Sequence, residues 1–219
     1  MVTFETDYQA IFALLPPEAA VTLNNISWDE YEALLNEFDE QPRVRLTYDD
    51  RRLEIMTVSI EHEKIKCLLP HLIMVLALEL RLNFLGAGSS TLRNKKKAKG
   101  IDPDECYYFE NFKQISQKKR LDLSIDPPPD LAFEADITNP STNKFSIYAA
   151  LGVKELWRHN GAEVSFYQLV DEDYFECDHS ILFPFLIPEV LLRFFQMGEE
   201  EGAVTMVNEF RQWVSVNKA

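Results

Sequence analysis

The segment from 130 to 137 gathers acidic residues in a pattern that could do chemistry. It is predicted to be a β-strand, in which alternation places Asp130, Ala132, Glu134 and Asp136 on one face and apolar residues on the other. Carboxylates that share a face repel one another, and burying them without a cation is costly. A divalent metal is the simplest compensation, and oxygen ligands suit Mg²⁺ or Mn²⁺. An edge strand with one solvated face explains the same pattern equally well.

A second acid precedes this strand along the chain. Pro103-Asp104 opens another predicted strand, Asp104 to Phe109, directly after a run of lysines at 95–97 and 99. Two neighbouring strands that each present an acid can converge on one ion. We therefore predict that the carboxylates of Asp104, Glu134 and Asp136 lie together in one cleft.

The first turn of a long predicted helix, from about Glu61 to Leu82, supplies two further candidates. Glu63 could join the acidic cluster, although the helix dipole alone favours an acid near a helix N-terminus. His62 beside it is expected to cap the helix or to pack more than to act in catalysis.

The remaining pattern predicts the elements that must position these side chains. The core order is helix, strand, strand, strand, helix, strand, which indicates an α/β architecture with one mixed central sheet flanked by helices. An N-terminal helix and a hairpin precede this core, and C-terminal helices follow it. The predicted helices are 28–37, about 61–82, 144–151, 188–196 and about 199–216, and the predicted strands are 43–48, 52–56, 86–93, 104–109, 130–137, 154–159 and 163–169.

Composition limits the class of protein. Of the 219 residues 46% are hydrophobic, enough for one core, so a single domain over 1–219 is expected. The first residues carry acids and no basic leader, and the longest apolar stretch, 67–80, is too short to span a bilayer. Three scattered cysteines, Cys67, Cys106 and Cys177, suit reduced thiols in a cytoplasmic protein without a membrane partner. The formal net charge of −14 argues against nonspecific binding of nucleic acid over a broad surface, but it does not exclude a local basic path.

Several segments, taken in order, resemble one family. They are Arg52–Met56 (RLEIM), Glu61–Glu63 (EHE), Gly88–Arg93 (GSSTLR), Gly100–Asp104 (GIDPD), Pro129–Asp136 (PDLAFEAD) and Ile147–Trp157 (IYAALGVKELW). Together they resemble the bacterial Uma family of putative restriction endonucleases, proteins of largely unknown role with the PD-(D/E)XK nuclease core. The resemblance covers roughly 47–192 and implies a nuclease-like core there, with a C-terminal helical extension over about 193–219.

The resemblance also implies roles for matching positions. Asp104 matches the aspartate of the family's Pro-Asp motif and Glu134 the acid on the next strand, so both would hold Mg²⁺ or Mn²⁺. The backbone carbonyl of Ala135 would complete the metal site. The acid-X-lysine pattern of such nucleases expects a lysine at the position of Asp136, and this chain departs from it there.

Lys144 is the candidate to replace that missing lysine. It lies four residues before Tyr148, a spacing that the family often shows, and residues four apart share a helix face. A fixed cation near the developing negative charge of phosphodiester cleavage lowers the barrier. We predict that the Lys144 ammonium points into the acidic cleft and that Gly152 ends its helix. A solvated lysine at a helix N-terminus is an equally good interpretation.

Three functions remain open from the sequence. The leading one is metal-assisted hydrolysis of phosphodiester bonds in nucleic acid, most readily DNA, in which Lys95, Lys96, Lys97 and Lys99 could lead phosphates toward Asp104. A charged surface loop explains this lysine run equally well. The second is a non-catalytic relative of the nuclease fold that acts as an interaction or regulatory protein, which the charge of −14 and the departure at Asp136 both favour. The third is a metal hydrolase of a small phosphorylated molecule. A homodimer is the default among soluble oligomers.

Overall fold

The computed structural model of the chain describes residues 16, 19–38, 44–57, 59–135 and 144–218. Within those ranges the helices are α1 (Trp28–Glu37), α2 (Ile60–Leu80), α3 (Phe112–Ile115), α4 (Lys144–Leu151), α5 (Pro188–Glu201) and α6 (Ala203–Asn217), with a single 3₁₀ turn at Lys95–Lys97. The strands are β1 (Ala20–Asn24), β2 (Val44–Asp49), β3 (Arg52–Thr57), β4 (Leu85–Gly86), β5 (Leu92–Asn94), β6 (Lys99–Ile101), β7 (Glu105–Tyr108), β8 (Leu131–Ala135), β9 (Glu155–His159), β10 (Val164–Val170) and β11 (Asp173–Cys177).

The central sheet has six strands in the order β11-β10-β9-β8-β7-β4. Only β8 and β9 run parallel, and α4 makes the crossover that a parallel pair requires. Along the chain, α2, β4, β7, β8, α4 and β9 follow the predicted order of helix, three strands, helix and strand. The α/β fold class with a mixed sheet flanked by helices is therefore confirmed.

The prediction of one sheet is wrong, because the described residues form two. The hairpin of β2 and β3 pairs with β1 on one side and β6 on the other, and β5 completes a five-stranded antiparallel sheet. The reason lies in the predicted strand 86–93, which is in fact two strands. Its first part pairs with β7 of the central sheet, its second with β6 of the smaller one, and Gly88, at φ +56°, lies in the turn between them.

Helices cover both faces of the central sheet. On one face α2, α5 and α6 pack together, and Trp157 of β9 is buried beneath them, stacked on Phe166. On the other face, Ile147, Tyr148 and Leu151 of α4 pack against Ala132 and its neighbours. Because β8 is covered on both faces, all five of its residues are buried.

The end of α4 is fixed by Gly152, as predicted. Its φ of +85° suits glycine, and its N–H bonds to the carbonyl of Ala149 while the N–H of Val153 bonds to that of Tyr148. This pair of bonds is the Schellman motif, in which a left-handed residue closes the last turn. The chain then enters β9 beside β8, and α4 stays against the end of β8 that bears Glu134.

Two smaller expectations concern the membrane and the thiols. Within the part of the chain that the structure describes, no helix is long and apolar enough to cross a membrane. All three cysteines are free, with Cys106 buried, Cys177 half-buried and Cys67 exposed.

Candidate active site

Asp104 and Glu134 face each other across two strands. The antiparallel register pairs Glu105 with Phe133, and one further step along it sets Asp104 opposite Glu134. Directly opposite residues project to the same face with their Cβ atoms about 5 Å apart. Asp104 is 2% and Glu134 1% exposed, and β8 lies between β7 and β9. The edge-strand interpretation is therefore wrong, because these acids are buried in the middle of the sheet.

Glu134 receives its partners from α4. The ammonium of Lys144 lies 2.5 Å from Oε2, and the hydroxyl of Tyr148 donates to Oε1. Lys144 and Tyr148 are four residues apart on one face of α4, so a single helix presents both donors. The expected direction of Lys144 is confirmed, and the alternative of a solvated lysine is wrong because its side chain is only 10% exposed.

Asp104 is held by α2 and by the end of β8. Its Oδ2 accepts a hydrogen bond of 2.7 Å from the backbone N–H of Ala135, and its Oδ1 lies 2.9 Å from Nε2 of His62. Burial raises the pKa of the Asp104 carboxyl. The hydrogen bond and charge of His62, then the charge of Lys144, outweigh burial and hold this pKa below its ordinary value.

His62 takes part in the site, although capping or packing was the favoured interpretation. Ser59 caps α2 by accepting from the backbone N–H of His62, which leaves the imidazole free to face Asp104. Burial lowers the pKa of His62, but the hydrogen bond to Asp104 and the nearby charges of Asp104, Glu63 and Glu134 raise it overall. The imidazole therefore holds its proton more tightly than an isolated histidine does, and it is tied to Asp104.

Tyr148 acts as a donor rather than as an acid. Burial, the charge of Glu134 and the hydrogen bond to it raise the pKa of Tyr148 well above its ordinary range. The phenol therefore keeps its proton and fixes the orientation of the Glu134 carboxylate.

Glu63 lies one step away from the acidic pair. Its Oε1 is 3.5 Å from a guanidinium nitrogen of Arg45 and 3.6 Å from Nδ1 of His62, and its Oε2 is 3.6 Å from the Lys66 ammonium. The side chain is 37% exposed, so it lies at the mouth of the site. The structure brings Glu63 to His62, and through His62 to Asp104.

Two other predicted acids have different outcomes. Asp136 lies outside the described residues, so its place in the cluster stays a prediction. Asp130 is used elsewhere: its Oδ2 accepts from the backbone N–H groups of Phe109 and Glu110 and holds the end of β7.

The lysine run makes several contacts within the chain. Lys95 pairs with Asp29 and Lys99 with Asp49, while Lys97 donates to the carbonyl of Ala150. Ala150 lies near the C-terminal end of α4, and Lys144 at its start, so roughly 10 Å of helix separates the two. The phosphate path through this run stays a prediction.

A divalent ion fits the donor set of this site. Asp104 and Glu134 offer hard carboxylate oxygens, and each oxygen keeps a second lone pair beside its present partner. No group of three or more His, Cys, Asp or Glu side chains among the described residues is arranged to hold a metal. An ion here would use two carboxylates and a backbone carbonyl with water or substrate oxygens, a coordination that Mg²⁺ commonly accepts.

Sequence reasoning undervalued His62 and Tyr148, and a signal for each was present. His62 continues the buried stripe of α2, three residues before Ile65 and seven before Leu69. A polar residue at the end of an apolar stripe needs a buried polar partner. Tyr148 sits among the apolar residues of α4, where its hydroxyl likewise requires one.

The fold and the site together define the class of protein. A core of helix, three strands, helix and strand, with opposed acids on its central strands and a lysine on the next helix, is restriction endonuclease-like. The chain belongs to the Uma2 family, described as putative restriction endonucleases, whose model matches residues 28–194. The predicted family is confirmed, and membership supports a nuclease function in general terms.

No curated protein sequence matches this chain. Among solved structures it is similar to a putative nuclease belonging to DUF820 from Anabaena variabilis ATCC 29413, with a TM-score of 0.44 and 14% sequence identity over 79% of this chain and 98% of that one.

Proposed function

We propose that the chain is a nuclease that hydrolyses phosphodiester bonds in nucleic acid, most readily DNA, with Mg²⁺ or Mn²⁺. The observation that carries this proposal is the buried pair of Asp104 and Glu134 on neighbouring strands, joined by Lys144 from the following helix. Buried carboxylates so close together are unfavourable in a purely structural role, and enzymes place such groups at catalytic sites.

Asp104, Glu134 and the carbonyl of Ala135 would hold the metal, with Asp136 as a further ligand. When bound, a divalent ion supplies a Lewis acid that activates water and neutralises charge on the phosphate. The chain itself contributes orientation: Tyr148 fixes the carboxylate of Glu134 and His62 fixes that of Asp104.

Lys144 supplies the fixed positive charge that the motif lacks at Asp136. Its ammonium is nearly buried and already lies at the acidic pair, so it needs no rearrangement when negative charge develops on the phosphate. Preorganised charges of this kind stabilise a transition state more than mobile ones do.

The setting of this activity is also a proposal. The nuclease core would span about 47–192 of one domain, with the helical extension over about 193–219, in a cytoplasmic protein. A homodimer would present two such sites, one to each strand of a duplex.

A second candidate function is that of a non-catalytic interaction or regulatory protein. It is favoured by the saturation of the site: the four carboxylate oxygens of Asp104 and Glu134 each have a donor within the chain. Such a cluster is compensated without a metal, and its retention could serve folding alone.

Metal-dependent cleavage tests the first function against the second. Labelled DNA and RNA are incubated with the protein and Mg²⁺, Mn²⁺ or chelator, beside Glu134→Gln and the exposed control Glu163→Gln. A nuclease cleaves with metal only, loses cleavage in Glu134→Gln and keeps it in Glu163→Gln. Thermal melting with and without metal separates the alternatives further, because a ligand that binds the native state raises the melting temperature. Absent cleavage and absent metal-induced stabilisation would favour the non-catalytic protein.

A further inference from the structure

A second cleft lies apart from the acidic pair, between the end of α1, the β4–β5 connection and the segment after α3. Its volume is about 410 Å³, within the range of ligand sites. Its polar lining includes Ser90, Thr91, Arg93, Lys118, Lys119 and Arg120. Among the described residues that line it, none is Asp or Glu. In a chain of formal net charge −14, four cations around one cleft without a lining carboxylate favour an anionic ligand.

Two of the four cations are partly neutralised by carboxylates that do not themselves line the cleft. A guanidinium nitrogen of Arg93 lies 2.8 Å from Glu32, and the Lys118 ammonium lies 2.6 Å from Asp126. Arg93 also donates to the carbonyl of Leu121 and thereby holds the wall of the cleft in place. These two residues shape the cleft.

The other two cations keep their charge for a ligand. Arg120 donates at 3.0 Å to the side-chain oxygen of Asn36, which is neutral, and no carboxylate among the described residues forms an ion pair with its guanidinium. Lys119 precedes it and is exposed to solvent. Two adjacent cations can each neutralise one phosphate, so the site suits successive phosphates of a strand better than a single small anion.

The wall of the cleft at Leu85 lies one strand length from the acidic pair. Leu85, which lines it, pairs with Tyr108 at the end of β7 that is distant from Asp104. A strand of four residues spans about 13 Å, which corresponds to about four nucleotides of helical rise. Thr91, at the wall of the cleft, also donates at 2.6 Å to Asp102, two residues before Asp104.

We propose that this cleft binds the phosphate backbone of a nucleic-acid strand, through Lys119 and Arg120, about four nucleotides from the bond at the acidic pair. The proposal rests on the proposed function, because it assigns where the substrate of that function lies. The proposal is compatible with the net charge of −14, because a strand would contact only the local group of cations at the cleft.

Binding without cleavage tests the cleft. Fluorescence anisotropy follows short labelled single strands and duplexes of DNA and RNA in chelator, over a salt series, with full-length wild type, Lys119→Ala and Arg120→Ala. Each lost phosphate contact should lower the salt slope by about 0.9 on a duplex and about 0.7 on a single strand, which raises Kd roughly eightfold and fivefold, respectively, at about 0.1 M salt. The matched control is Arg193→Ala, an exposed cation on α5, which packs on the opposite face of the central sheet. It should bind like wild type.

The outcomes separate this proposal from the nuclease function. If Kd and the salt slope are unchanged in both cleft variants, the cleft does not bind the strand. Cleavage by wild type would still support the nuclease function in that case. A mononucleotide that competes as well as a strand of the same nucleotides would also overturn the assignment. Cleft-dependent binding without metal-dependent cleavage would support the cleft and contradict the nuclease function.

Discussion

Two glutamates of the central sheet are equally buried but have different kinds of partner. Glu134 on β8 and Glu155 on β9 are each 1% exposed. Glu134 projects toward α4, whereas Glu155 projects to the opposite face, which it shares with Trp157 two residues later. Their surroundings differ in kind, because the partners of Glu134 include a cation and those of Glu155 do not.

Glu155 is bound by neutral donors that belong to the framework. Its Oε1 accepts from the indole N–H of Trp157 at 2.6 Å, and its Oε2 accepts from the backbone N–H of Leu182 at 3.0 Å. Ser180 bonds to it as well, so the carboxyl ties the loop before α5 to the sheet. The comparison teaches that burial alone does not mark a catalytic acid. Glu134 is the candidate because it has both a charged donor and a second acid beside it, and its catalytic role is part of the proposed function.

The largest expected effect is on cleavage by Glu134→Gln. Because this change removes a carboxylate that is proposed to bind the metal, and also the partner of Lys144, cleavage should fall to the rate seen with chelator. Glu155→Gln, an equally buried change on the other face, should keep wild-type kcat per folded molecule. The measurement is single-turnover cleavage, with folded protein quantified by circular dichroism. An equal loss of cleavage in Glu134→Gln and Glu155→Gln would contradict the distinction between the two glutamates.

Lys144→Ala should have the next largest effect. Loss of one preorganised charge should lower kcat by about 10²–10³ while leaving strand binding unchanged. Lys154→Ala is the control, since this lysine pairs with Glu110 at the surface. If Lys144→Ala cleaves like wild type while Glu134→Gln is inactive, Lys144 has no catalytic role.

Stability should respond to Glu155 in proportion to its hydrogen bonds. Glu155→Gln keeps one acceptor but turns an amide N–H₂ toward the donors of Trp157 or Leu182, so the free energy of unfolding should fall by about 1–3 kcal/mol. Urea unfolding followed by tryptophan fluorescence measures this. Glu163→Gln, in the exposed turn before β10, should change it little. An unchanged free energy in Glu155→Gln would mean that the loop is held by other contacts.

The sequence predicted much of this fold because local patterns agree with the tertiary structure. The capping box at Ser27 gives α1 the predicted bounds, and Gly152 ends α4 as expected. The second sheet was missed because strand pairing is a long-range property. Nothing in the alternation of 86–93 reveals that Gly86 and Leu92 join different sheets.

The site was predicted in part for the same reason. Asp104, Glu134 and Lys144 were found from strand alternation and family resemblance, and the structure brings them together. His62 approaches Asp104 from 42 positions earlier along the chain, a contact that its own neighbours in the sequence do not encode. The cleft around Lys119 and Arg120 was missed because these residues lie between the predicted strands 104–109 and 130–137, where the sequence pattern predicts no helix or strand.

The smallest predicted effect is the pH dependence of Glu155, and it sharpens the comparison most. Burial raises the pKa of this carboxyl above its ordinary value of 4.5, more than its hydrogen bonds from Trp157, Ser180 and Leu182 lower it. A raised pKa means that the native state binds the proton more tightly than the unfolded state does. The contribution of Glu155 to stability is therefore fully present below the ordinary pKa and is lost as pH rises through the raised one.

Wild type should consequently lose stability relative to Glu155→Gln as pH increases from about 5, with a slope of at most about 1.4 kcal/mol per pH unit for one proton. Urea unfolding of both proteins across this range gives the difference, in which the other titrating groups cancel. The same difference for Glu163→Gln should stay flat. If the advantage of wild type instead grows with pH, the charged form of Glu155 is the stabilised one. Beside Asp104, whose pKa is lowered, the structure would then hold a second buried carboxyl whose charged form is stabilised, and neutral donors alone would stabilise it.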